Sequence, residues 1–163
     1  MIVVDAWPLT TIIAGNFAGS RPGSVADELR SLCRAGEVQL TPFHVEVLTR
    51  FVTSARGGWA TTAHVATEAF HQIERCVGPG RVGEVIDWVR ERLPPPNLVR
   101  VGWKEVLDHP VSPIFGPADA SVVRAATKTR SILLVQDGRL FAWCKRNDVS
   151  VRSCLGVARV EFD

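Results

Sequence analysis

The chain has no tyrosine and one methionine, and its four cysteines, Cys33, Cys76, Cys144 and Cys154, include no close pair. Without a C-x-x-C spacing, a structural zinc cluster or a disulfide framework is the weaker reading. Reduced, partly buried thiols are the better one. Long apolar runs are also missing, and no stretch approaches the ~20 residues that a membrane-spanning helix needs. The opening Ile2-Val3-Val4 has no basic flank, so it does not resemble a signal peptide. These absences predict a cytoplasmic protein with no membrane partner. A strong excess of one charge is lacking too, and a net charge of +2 does not by itself point to nucleic acid. Repeats and low-complexity tracts are absent.

What is present fits one folded unit. With 163 residues, 46% hydrophobic and 22% charged, the chain is the size of a single domain over 1–163 and can bury a real core. Apolar runs alternate with breakers. Ile2–Val4 is a β-branched run that predicts a buried strand, followed by a helix around Trp7 to Phe17 and a turn at Gly19 to Gly23. Ser24 opens a helix to about Cys33, which Gly36 stops. Val38 to Leu40 predicts a second strand. Thr41-Pro42 is a helix start, a capping hydroxyl followed by proline at the first helical position. Phe43, Val47 and Phe51 recur every four residues along that helix and predict its core stripe.

Gly57-Gly58 then breaks the chain, and Thr61 or Thr62 opens a helix to about Cys76. Val82 to Leu93 is helical and is stopped by Pro94-Pro95-Pro96. Leu98 to Val101 predicts a strand, Lys104 to Leu107 a short helix, and 109 to 117 a loop. Ala118 to Thr129 predicts a helix, Ile132 to Val135 a strand, Leu140 to Arg146 a helix and Val149 to Val151 a terminal strand. Gly156 to Phe162 is a candidate for one more. Strands separated by helices predict an α/β fold with a mostly parallel central sheet of four to five strands, flanked by helices.

In such sheets, ligands bind beyond the carboxyl ends of the strands. Asp5 directly follows the first strand, and Asp137 lies two residues past the strand ending at Val135. Glu46 is one turn into the helix after Val38–Leu40, and Asp119 is in the first turn of the helix before Ile132. Each has a plainer role available. Asp5 and Asp137 could cap or turn, Glu46 could pair with Arg50 at i, i+4, and Asp119 could favour its helix dipole. Together they point to one sheet edge, where gathered carboxylates repel unless a cation joins them. Hard oxygen ligands suit Mg²⁺ or Mn²⁺, which lower the pKa of water and clamp the oxygens of a phosphoryl displacement. The late basic residues Arg124, Arg139 and Lys145 are candidate nucleic-acid contacts, although solvated helix faces look alike.

Other features point less far. His64, Glu68 and His71 share one face at i, i+4 and i+7, opposite Val65, Ala69, Phe70 and Ile73, and are read as a solvated polar face rather than a zinc site. No glycine loop with its lysine marks a nucleotide-binding domain.

In order and type, several segments resemble the PIN-domain family, especially the VapC-type toxin ribonucleases. Val3-Val4-Asp5-Ala6 is similar to the family's opening strand and first aspartate. The segment Val38 to Leu48 is similar to its second strand, cap and acidic helix, and Ala118 to Ala126 to its D-A helix. Ile132 to Leu140 is similar to its strand, T-x-D and basic segment, with Val135 in place of the hydroxyl residue. The segment between Glu46 and Asp119 is longer than in small toxins. The resemblance implies a three-layer PIN-like fold and a Mg²⁺- or Mn²⁺-dependent endoribonuclease. Asp5, Glu46, Asp119 and Asp137 would then be its metal ligands and catalytic residues. It further implies an RNA substrate, an antitoxin partner and a homodimer. The five tryptophans are read, apart from the resemblance, as mostly core or partner-facing, with Trp7 or Trp143 available to stack on bases. The alternative is an inactive PIN-like module that binds protein or RNA.

Overall fold

The structure, a computed structural model, describes residues 1–35 and 37–159. Its centre is β1 (Ile2–Val4), three β-branched residues that are all buried, as a strand covered on both faces requires. Four more strands share its sheet: β4 (Trp59–Thr61), β5 (Asn97–Leu98), β6 (Ile132–Val135) and β7 (Val151–Ser153). The order is β5-β4-β1-β6-β7 and every neighbouring pair is parallel. Val3 lies between Ala60 and Leu133 in register. The α/β fold with a parallel five-stranded sheet is therefore as expected.

The second predicted strand is not part of it. β3 (Val38–Gln39) pairs antiparallel with β2 (Arg34–Ala35) as a separate hairpin, and both β3 residues are exposed. The true inner neighbour of β1 on that side is β4, which the Gly57-Gly58 break concealed. β5 starts one residue before its expected place and ends three residues before it, and β7 is shifted two residues towards the C-terminus. The stretch 109–117, expected as loop, contains the short helix α7 (Ser112–Phe115). Instead of a last strand at Gly156, Cys154–Arg159 forms α10. Gly36, expected to stop a helix, and 160–162 lie outside the described residues.

The remaining helices are α1 (Ala6–Ser20), α2 (Ser24–Arg30), α3 (Pro42–Thr53), α4 (Ala63–Val77), α5 (Val82–Arg92), α6 (Trp103–Leu107), α8 (Pro117–Thr129) and α9 (Gly138–Arg146). α1 packs against α2, α3 and α4, whereas α8 packs against β1 and β6. Burying Leu9, Ile12, Ile13 and Phe17 on α1 and Val122, Val123, Ala125 and Ala126 on α8 joins these helices to the sheet in one core. Thr41 caps α3 as expected, accepting from the His44 N–H while His44 Nδ1 accepts from the Thr41 N–H. The core stripe of α3 is offset from prediction: Val45, Val47, Leu48 and Val52 are buried, but Phe43 is 46% exposed. All four cysteines are free. Among the described residues no helix is long and apolar enough to cross a membrane.

The strand order reverses beside β1. The chain leaves β1 towards β4 and β5 on one side, then returns to β6 and continues to β7 on the other. The carboxyl ends of β1 and β6 thus flank a topological switch point, the place where open parallel sheets form a crevice.

Candidate functional site

Asp5 stands at that point. Its N–H continues the ladder by donating to Leu134 O at 3.1 Å, and its carbonyl accepts from Leu9 N–H at 3.0 Å to start α1. The side chain makes no cap hydrogen bond, so the plainer role for Asp5 does not apply. It is buried, with Oδ1 lacking any hydrogen-bond partner. Burial pushes its carboxyl up to about 7, and the charges of Asp119, Glu68 and Asp137 push in the same direction, against the Ala6 N–H.

Asp119 is in the first turn of α8. It is half-buried and raised to about 6, by burial first and then by Glu68 and Asp137. Asp137 caps α9: its Oδ1 accepts from the Arg139 and Leu140 N–H groups at 2.6 and 2.9 Å. Capping and contribution to the acidic field therefore coexist in one residue. Cys144 and Cys154 also feel Asp5, and burial together with that charge pushes both thiols up.

The structure thus brings Asp5, Asp119 and Asp137 into one electrostatic cluster, and the fourth member is Glu68 rather than Glu46. The expectation for Glu46 rested on Val38–Leu40 belonging to the central sheet, which it does not. Glu46 instead occupies an exposed face of α3, where its Oε1 accepts from Arg50 Nη2 at 2.8 Å, the plainer role open to it from the start. Glu68 replaces it because α4 follows β4, a strand paired to β1.

Two contacts hold Glu68 and Asp119 in place. Thr62, the cap of α4, shares a 2.8 Å hydroxyl bond with Ser121 of α8, and both residues are buried. This ties together the first turns of the two helices that carry the acids. Gln72, also buried, donates to Glu68 Oε1 at 3.5 Å and has its own Oε1 within 2.9 Å of the Thr10 hydroxyl on α1. A sequence signal for Glu68 exists: a strand, a threonine cap and a glutamate on the following helix, the same pattern that surrounds Glu46.

The basic residues diverge. Arg139 sits beside Asp137, its guanidinium 5.6 Å from the Phe115 ring centroid. Arg124 Nε is bonded to Glu105 Oε1 at 3.1 Å. Lys145 lies over Phe141 and lines a separate pocket with Arg50 and Arg152, between α3, α9, β7 and α10. Only Arg139 of the three adjoins a member of the acid cluster in sequence and hydrogen bonding.

Among the described residues, no three acidic, histidine or cysteine side chains converge closely enough to hold a metal ion as they stand. The donor chemistry nevertheless suits a hard divalent cation. All four groups are carboxylates, and the buried Asp5 oxygen has no other partner. No family model, curated protein or solved structure matches the chain.

Proposed function

We propose that the chain is a divalent-metal-dependent endoribonuclease in which Asp5, Glu68, Asp119 and Asp137 form the acidic centre. One observation carries this reading: a buried aspartate at the switch point, with an unpartnered oxygen and three further acids acting on it. Such a group costs stability in the metal-free chain, and a cation between the acids offsets that cost. Mg²⁺ or Mn²⁺ would supply activation of water and relief of charge at a phosphate.

The chain's own residues supply the rest. Asp5 anchors the site in the core, and the Thr62–Ser121 bond fixes the separation of α4 and α8. Arg139, exposed at the start of α9, would meet a phosphate oxygen in this reading. RNA as the substrate, an antitoxin partner and homodimerisation follow from the resemblance to PIN domains and extend this reading.

The test is cleavage of single-stranded RNA by the full chain with Mn²⁺. Cleavage that stops with chelator and in Asp119→Asn supports the enzyme; an intact RNA, or cleavage indifferent to both, contradicts it. The second reading, an inactive PIN-like binding module, is favoured by the acids not closing into a coordination shell. It predicts RNA or protein binding without turnover at any metal concentration.

A further inference from the structure

The two histidines of α4, His64 and His71, are not used by the acidic centre. Glu68 belongs to that centre, whereas His64 and His71 line an adjoining pocket of about 630 Å³ together with Trp103 and Ala118. That volume falls within the roughly 300–1,000 Å³ of small-ligand sites. The pocket and the acidic centre share Glu68, and Ala118 is the chain neighbour of Asp119.

Trp103 is unlike the core tryptophans Trp59 and Trp88. It leaves 59% of its surface in solvent. Its orientation is nonetheless defined: the indole lies 6.1 Å from the His64 ring, with 17° between the planes. Its helix is also anchored. Glu105 accepts from the Gly102 N–H at 2.9 Å with one oxygen and from Arg124 of α8 at 3.1 Å with the other. The helix that carries this indole is thus held against the helix that carries Asp119.

We infer that this pocket is a nucleobase subsite, in which an unpaired base of an RNA strand stacks on the open face of Trp103. The inference rests on the nuclease reading above and names where the nucleotide beside the scissile phosphate is held. A base fits better than a phosphate here. Glu68 at the shared wall repels an anion, while every base offers an uncharged π-face. His64 and His71 supply ring nitrogens to meet base edges. Purines, with the larger overlap, bind more tightly than pyrimidines.

The test uses the full chain, a short single-stranded RNA, and the variants Trp103→Ala and Trp103→Phe. Thermal unfolding of each variant first confirms an intact fold. Trp103→Ala is expected to raise KM for Mn²⁺-dependent cleavage about 5- to 150-fold with kcat within about twofold, as loss of one stacked base implies. Trp103→Phe retains most of the affinity. In an Asp119→Asn background, binding of the same RNA weakens equally with Trp103→Ala. Removing the base next to the cleavage point reproduces the loss in the parent but adds nothing to Trp103→Ala. Cleavage with an unchanged KM in Trp103→Ala overturns the subsite and leaves the nuclease standing. Trp103-dependent binding without any cleavage does the reverse. A chain that neither binds nor cleaves RNA overturns both.

Discussion

Two helices of this chain begin almost alike. α3 follows a short strand, is capped by Thr41 and carries Glu46; α4 follows a short strand, is capped by Thr62 and carries Glu68. Their glutamates have opposite fates. Glu46 is ion-paired to Arg50 on an exposed face, and Glu68 acts on Asp5 and Asp119. The strand before each helix makes the difference. β3 belongs to an exposed hairpin, and β4 is hydrogen-bonded along β1. Local chemistry builds a capped helix with an acid in it, but only membership of the central sheet delivers that acid to the switch point.

The largest effect that sharpens this contrast is on activity. Asp119→Asn is expected to reduce Mn²⁺-dependent RNA cleavage at least about 1,000-fold, a barrier change of ~4 kcal/mol, measured as initial rates at saturating metal. Glu46→Gln should leave the same rates within about twofold.

The next effect is on stability. The carboxyl of Asp5 sits at about 7 in the fold against its ordinary value of 3.8, so between those pH values the native state holds a proton that the unfolded chain has released. Its favourable contribution is complete below about pH 4 and is lost as pH rises through about 7. Asp5→Asn removes this slope. In metal-free buffer the variant should be more stable than the parent by up to about 4 kcal/mol at pH 8, with the advantage gone near pH 4. Urea unfolding at both pH values measures it. An advantage that grows towards acid would contradict the burial of Asp5 among other acids.

The two caps give a smaller contrast. Thr62→Ala removes a helix cap and the buried bond to Ser121, whose hydroxyl keeps its bond to Ala118 O. It should cost about 2 kcal/mol. Thr41→Ala removes an exposed cap and should cost about 1 kcal/mol. Denaturant midpoints compare them, and equal losses would show that the Thr62–Ser121 bond adds nothing to the joint between α4 and α8. The smallest effect is that of Arg50→Ala, within about 0.5 kcal/mol, because both partners of its ion pair are more than 60% exposed.

Much of this was legible in the sequence. β1 and β6 are short apolar runs bounded by aspartates, and the hydroxyl–proline start of α3 is a local signal that needs no tertiary context. Asp5, Asp119 and Asp137 could be placed because their strands or helices were placed correctly. β4 was hidden because three buried residues, Trp59-Ala60-Thr61, show no alternation to read. Without β4, Glu68 has no strand end to belong to, and its spacing with His64 and His71 gives it the pattern of a solvated face. Val38–Leu40 had the opposite fault: β-branched and apolar at first sight, it pairs only with its own hairpin partner. Strand pairing is a non-local property, and a two-residue strand carries too little pattern to reveal its neighbours.

The central claim is that the acidic centre contains Glu68 and not Glu46. Calorimetric titration of Mn²⁺ into the parent chain, Glu68→Gln and Glu46→Gln at pH 7.5 tests it most directly. The account predicts binding by the parent, an affinity at least about tenfold weaker in Glu68→Gln, and no change in Glu46→Gln. Unchanged binding in Glu68→Gln, loss in Glu46→Gln, or a parent chain that binds no Mn²⁺ would contradict it.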